Sequence, residues 1–190
     1  MGKRLFVAVD VDDPTRDAVD HLSRVLQQET AIQKLGRASW VSRTRMHLTL
    51  HFVADADAGT ERLLLGALGH PFPRSPFNLT FHGLGFFPER GSPRVLWLGI
   101  SEGLDHLRAI HSELGRRLQL ASRSRETFYP HLTLARFRDR VPRARVAEMT
   151  AFPAAAGPAL IDRVTLYESR LSPKGPTYTA LAQAPLKAPS

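Results

Sequence analysis

Apolar residues along this chain follow two periods, and the places where one gives way to the other mark out its elements. Leu5-Phe6-Val7-Ala8-Val9 is a continuous apolar run inside Arg4 to Val11, the pattern of a strand buried on both faces. Asp13-Pro14 then opens a helix to Gln28, with Ala18, Val19, Leu22, Val25 and Leu26 at helical spacing. Ser39 to Val41 reads as a short strand, Met46 to Val53 as a clear one, and Thr60 to Leu68 as a second helix before His70-Pro71.

The second half repeats this grammar. Phe77 to Leu84 and Arg94 to Ile100 read as strands around a loop of Gly, Pro and charged residues. Leu104, Leu107, Ile110, Leu114 and Leu118 mark a third helix, and His131 to Phe137 is another strand. Arg138 to Pro158, rich in Arg, Ala and Pro, reads as a surface connection. Val164 to Glu168 and Tyr178 to Leu181 are the last strands, joined by the turn Ser172-Pro173-Lys174-Gly175-Pro176. Several neighbouring strands are joined by loops too short for a parallel crossover, so the expected class is α+β with mixed or antiparallel sheets, not a doubly wound fold.

Composition narrows the chemistry. The absence of cysteine from all 190 residues excludes a disulfide framework, a thiolate zinc site, an iron–sulfur cluster and a cysteine nucleophile. Any metal would need His and carboxylate ligands. Twenty-six Lys and Arg against 18 Asp and Glu leave a net charge of +8, which suggests a polyanionic partner or serves solubility alone. The first apolar run is too short and too closely followed by Asp10, Asp12 and Asp13 for a signal peptide, and nowhere do 18 apolar residues run together. A cytoplasmic protein with no membrane partner is expected.

The informative feature is a repeat. His47-Leu48-Thr49-Leu50 returns as His131-Leu132-Thr133-Leu134, and each copy lies in an expected strand. Alternation puts His47 and Thr49 on one face, with Leu48, Leu50 and Phe52 on the other, and treats His131 and Thr133 against Leu132 and Leu134 in the same way. One such motif alone reads most simply as an amphipathic strand with a solvated polar face; two identical ones read as matching polar ledges brought together by a pseudo-twofold fold.

With these motifs the sequence resembles the 2H phosphoesterase superfamily, specifically the bacterial and archaeal RNA 2′,3′-cyclic phosphodiesterases also called 2′-5′ RNA ligases. The resemblance also rests on Arg4-Leu5-Phe6-Val7-Ala8-Val9, Gly83-Leu84-Gly85-Phe86-Phe87-Pro88, Pro93-Arg94-Val95-Leu96-Trp97-Leu98-Gly99, Leu166-Tyr167-Glu168-Ser169 and Gly175-Pro176-Thr177-Tyr178. It implies one bilobal α+β domain over residues 1–190, with two pseudo-symmetric, mainly antiparallel sheets lining a central cleft and helices outside. It implies hydrolysis of RNA 2′,3′-cyclic phosphate ends to 2′-phosphates, with His47 as proton donor to the leaving 3′ oxygen and His131 as the base for water. Thr49 and Thr133 would hold the phosphate, no cofactor or metal would be needed, and the chain would act as a monomer on RNA or an oligonucleotide. The chemistry is self-consistent, since an ordinary imidazole titrates near neutrality and two of them can serve as acid and base together. The reverse reaction, 2′-5′ ligation, uses the same pair. A non-catalytic basic RNA-binding module is the rival of a different class; it would keep the arginines and be indifferent to either histidine.

Arg136 looks like the family arginine that assists phosphate binding, but strict alternation sets it on the leucine face. That role needs a bulge, twist or bend near Ala135; otherwise Arg136 is solvated or packed on a helix. His51 shares the face of His47 by alternation and would line the cleft or be a satisfied surface histidine. A His47/His51 metal chelate lacks an accompanying carboxylate-rich motif. His21, His70, His82, His106 and His111 read as surface or structural. Phe81, Phe86, Phe87, Phe128 and Tyr129 are candidate base-stacking groups, with core packing as the plainer reading of each. Arg43-Thr44-Arg45, Arg116-Arg117, Arg123-Ser124-Arg125 and Arg136-Phe137-Arg138 are candidate phosphate collectors, or solvated faces.

Overall fold

The computed structural model describes residues 2–119, 128–142, 146–173 and 175–188. In chain order its elements are β1 (Lys3–Asp10), α1 (Asp13–Gln28), α2 (Thr30–Gln33), β2 (Ala38–Trp40), β3 (His47–Ala56), α3 (Ala58–Ala67), β4 (Phe72–Pro73), β5 (Phe77–Phe87), β6 (Val95–Glu102), α4 (Leu104–Arg117), β7 (Leu132–Phe137), α5 (Val146–Thr150), β8 (Ala155–Ile161), β9 (Arg163–Arg170) and β10 (Thr177–Lys187). They form two five-stranded sheets, ordered β3-β1-β9-β10-β4 and β2-β7-β6-β5-β8. Every pairing is antiparallel except the short contact of β4 with β10. The class is α+β.

Helices α1 and α4 each reach across to the half opposite the strand they follow. Helix α1 leaves β1 but packs on β8 of the second sheet. Asp12 fixes that junction, because one carboxylate oxygen caps the helix by accepting from the Thr15 amide at 3.0 Å while the other accepts from the Leu160 amide at 2.9 Å. Helix α4 leaves β6 through Gly103, whose φ of 84° and lack of a Cβ are both required: a Cβ would lie 2.4 Å from the Asn78 carbonyl oxygen. At its far end Arg117 donates to the carbonyls of Ala67, His70 and Pro71 and lies 4.0 Å over the Phe72 ring, tying α4 to the α3–β4 segment of the first lobe. Val19 and Leu26 of α1, and Leu107, Ile110 and Leu114 of α4, join a hydrophobic core shared by both sheets.

The reading of the sequence is corrected in three places. The Arg138–Pro158 stretch is not wholly a connection: it holds α5 and the start of β8, which pairs along β5 from Phe77↔Ile161 to His82↔Ala155. Its strand is Ala-Ala-Gly-Pro-Ala-Leu-Ile, where small residues and a proline hide the pattern, and its proline is tolerated because β8 is a sheet edge. β10 runs on to Lys187, well past Leu181. Finally, Ala18 and Phe52, expected inside, are exposed.

Candidate active site

The first His-Leu-Thr-Leu segment opens β3, and the second enters β7 from His131, the residue just before it; the two strands contact one another between the sheets. Each histidine is anchored in the same way. His47 Nδ1 donates to the Arg45 carbonyl at 2.8 Å and His131 Nδ1 donates to the Tyr129 carbonyl at 2.9 Å, both two residues back. Committing the Nδ1 proton to a carbonyl fixes the tautomer and leaves Nε2 as the atom for proton transfer.

Aromatic rings from neighbouring strands back both imidazoles. Phe6 lies 4.8 Å from His47 and Tyr178 meets it edge-on at 5.4 Å. Phe87 meets His131 edge-on at 4.9 Å, with Trp97 at 6.3 Å. Burial among these rings holds both histidines below the ordinary imidazole pKa. The remaining influences differ. Arg136 lowers both, the two histidines being near enough that His131 also lowers His47, whereas the Asp10 carboxylate raises His47 alone. Asp10 is the Cα partner of His47 across β1 and β3 and accepts from the Tyr167 hydroxyl at 2.8 Å and the Thr165 hydroxyl at 3.1 Å. Burial and this carboxylate push the Tyr167 phenol well up, so it stays a donor.

Both motif strands bulge at the same place. Opposite the consecutive pair Val7 and Ala8, β3 presents His51 and Thr49, leaving Leu50 extra; opposite Leu96 and Trp97, β7 presents Ala135 and Thr133, leaving Leu134 extra. A bulge reverses the alternation beyond it. Arg136 therefore pairs with Val95, two residues from the Trp97 that pairs with Thr133, and so shares the face of Thr133. By the same register Phe52 pairs with Phe6 and Thr49 with Ala8, so Phe52 joins the face of Thr49 and is 47% exposed. His51 is carried to the opposite face, across from buried Val7 and near His111. The expectation that His51 shares the face of His47 is thus overturned, and with it the geometry of a His47/His51 chelate.

The other candidates separate. Phe81 and Phe86 are core, and Phe128 stacks on His111 at 4.0 Å, while Phe87 stands beside His131 and Tyr129 remains 49% exposed there. Arg43 pairs with Asp13 and Asp17, Arg45 donates to Ser42 Oγ and to the Pro176 carbonyl, Arg116 and Arg117 pair with Glu113, and Arg138 donates to Ser39. Arg123 and Arg125 lie outside the described residues. His106 accepts from Arg74 and stacks on Phe77, and His21, His70 and His82 are exposed. Sequence reasoning missed Asp10, read only as one of the acids that stop the first apolar run; its signal was an acid closing a wholly apolar stretch. A cavity of about 340 Å³, lined by Trp97, Tyr129, Phe128 and Arg108 among others, borders the His131 side.

Comparison with known proteins finds relatives of the whole chain. The 2′-5′ RNA ligase superfamily matches residues 5–172. The RNA 2′,3′-cyclic phosphodiesterase of Thermotoga maritima is 33% identical, the match spanning 94% of this chain and 92% of that protein; that of Archaeoglobus fulgidus is 31% identical over 94% and 97%. The crystal structure of E. coli LigT in apo form superposes with a TM-score of 0.74 at 26% identity, covering 97% of this chain and 98% of that one, and the complex of LigT with 3′-AMP gives 0.72 over the same shares.

Proposed function

The chain belongs to the 2′-5′ RNA ligase superfamily, and from that membership we propose that its cleft opens 2′,3′-cyclic phosphates at RNA ends with His47 as acid and His131 as base. It is an enzyme of the RNA 2′,3′-cyclic phosphodiesterase type. Water attacks phosphorus as its proton passes to His131 Nε2, the P–O3′ bond breaks, and O3′ takes the proton of His47 Nε2, leaving a 2′-phosphate. The polarity is supported by the placement of the Asp10 carboxylate across from His47, where it offsets part of the burial that disfavours imidazolium there, with no such carboxylate among the influences on His131. Thr49 and Thr133 donate to the non-bridging oxygens from side chains stiffened by β-branching, and Arg136, on the same face, meets the growing phosphoryl charge. The proton traffic is complete with two imidazoles, so the step asks for no metal.

The observation that carries this reading is the matched pair: two histidines, each with Nδ1 bound to the carbonyl two residues back, on two strands bulged at the same motif position. All of these groups come from one chain, which supports one bilobal domain acting as a monomer. No helix among the described residues is long and apolar enough to cross a membrane; together with the lack of cysteine we read the chain as cytoplasmic. Incubation with a nucleoside 2′,3′-cyclic phosphate, with and without EDTA, tests the reading: chelator-insensitive conversion to the 2′-phosphate is expected, and no conversion or loss of it in EDTA would overturn it.

A further inference from the structure

Two aromatic side chains are left exposed among the described residues. Tyr129 stands beside His131; Phe52 lies in the other lobe. Phe52 occupies the motif position that Arg136 occupies in the second lobe, five residues after the histidine, and the matching bulge turns it to the same face as Thr49. A large ring on the open side of a strand, when Leu48 and Leu50 beside it are buried, is unexplained by packing. Above it lies a cation. The Arg4 guanidinium sits 5.0 Å from the Phe52 centroid, its Nε is buried without a hydrogen-bond partner, and Arg4 forms no ion pair among the described residues. An arginine placed over an aromatic ring with its donors unspent offers a guanidinium suited to phosphate beside a surface suited to a base.

We propose that Arg4 and Phe52 form a second nucleotide subsite, in which the base of the nucleotide 5′ to the cyclic phosphate stacks on Phe52 and the phosphodiester joining the two nucleotides is bound by Arg4. This rests on the reading of His47 as the acid. In-line displacement sets the water on the side of His131 and the departing O3′ on the side of His47, so the ribose, and the RNA leading away from it, must follow the lobe that carries His47. Along β1, whose residues pair with β3, the path from the partner of His47 to the partner of Phe52 covers Asp10 to Phe6, about 13 Å of strand. At the matching position of β7 a longer arginine reaches back toward the phosphate, whereas the Phe52 ring has no donor to offer it and suits the base of the next nucleotide. Stacking on one aromatic ring is tolerant of base identity, so the subsite selects for RNA length and not for sequence.

The experiment compares kcat/KM for a dinucleotide ending in a 2′,3′-cyclic phosphate with that for a nucleoside 2′,3′-cyclic phosphate. The wild type should favour the dinucleotide. Phe52→Ala and Arg4→Gln should each lower the dinucleotide-to-mononucleotide ratio about tenfold, chiefly through KM, and Phe52→Trp should restore it. A merely structural role would depress both substrates together and leave the ratio unmoved; that result, or a ratio near one in the wild type, overturns the proposal. Calorimetric binding of the 2′-phosphorylated dinucleotide and mononucleotide reads the same ratio without turnover. A Phe52-dependent preference in binding by a protein that hydrolyses neither substrate would uphold the subsite and overturn the hydrolase reading.

Discussion

Thr133 and Arg136 face the same way from β7, although a spacing of three would set them on opposite faces of a regular strand. The inserted residue is Leu134, and its counterpart Leu50 does the same between Thr49 and Phe52. Repetition of the bulge in both motif strands makes it part of the cleft's construction: it re-aims the residue that follows while the leucines stay buried.

Arg136→Ala should therefore cost activity. Losing a charge-assisted hydrogen bond to phosphate predicts a fall in kcat/KM of roughly tenfold to a hundredfold. Because Arg136 depresses the proton affinity of both histidines, its removal should also move both limbs of the pH–rate profile upward. An unchanged profile and rate would show that Arg136 points elsewhere.

The repeat and the period of the strands were legible because both are written in residue types: a tetrapeptide recurs, and buried leucines alternate with polar neighbours. The bulges were not, since a bulge depends on pairing with Ala8 and Trp97, residues distant in the sequence. That is why alternation carried Arg136 and Phe52 to the wrong face and kept His51 on the face of His47. β8 was missed for a related reason: its side chains are small, and its strand character comes from pairing with β5. Asp10 was visible only as a break in an apolar run; its partners Thr165 and Tyr167 arrive from the far end of the chain.

His47→Ala and His131→Ala should each lower kcat by about 10² to 10⁴, the range of a general acid or base, with melting temperature and 2′-phosphate binding retained. Losses below tenfold in both would remove the two-histidine mechanism. The product of the wild type, identified chromatographically, should be the 2′-phosphate; a 3′-phosphate would reverse the leaving oxygen.

Stability should fall as the solution is made mildly acidic. His47, His51, His111 and His131 are all held below the ordinary imidazole value, chiefly by burial. As pH drops through about 6.5 the unfolded chain takes up protons that the folded chain refuses, so the free energy of unfolding decreases. Melting temperature should be flat above pH 8 and decline between pH 7 and 5, before the carboxylates titrate. A rise over that interval would contradict the burial of these rings.

Asp10→Asn tests the division of labour between the histidines. The carboxylate acts on His47 and not on His131, and Asn keeps an oxygen for the Tyr167 and Thr165 hydroxyls while removing the charge. Without that charge imidazolium at position 47 is less favoured, so the acid loses its proton at lower pH. The bell-shaped profile belongs to the coupled pair, yet only its alkaline limb should move, downward, and the bell should narrow. At pH 8 kcat/KM should drop roughly fivefold, the effect of about 1 kcal/mol of lost attraction, while near the acid limb the variant and wild type should converge. Movement of the acid limb instead would mean that His47 is the base and His131 the acid, and a uniform drop at every pH would assign Asp10 to holding the strands together.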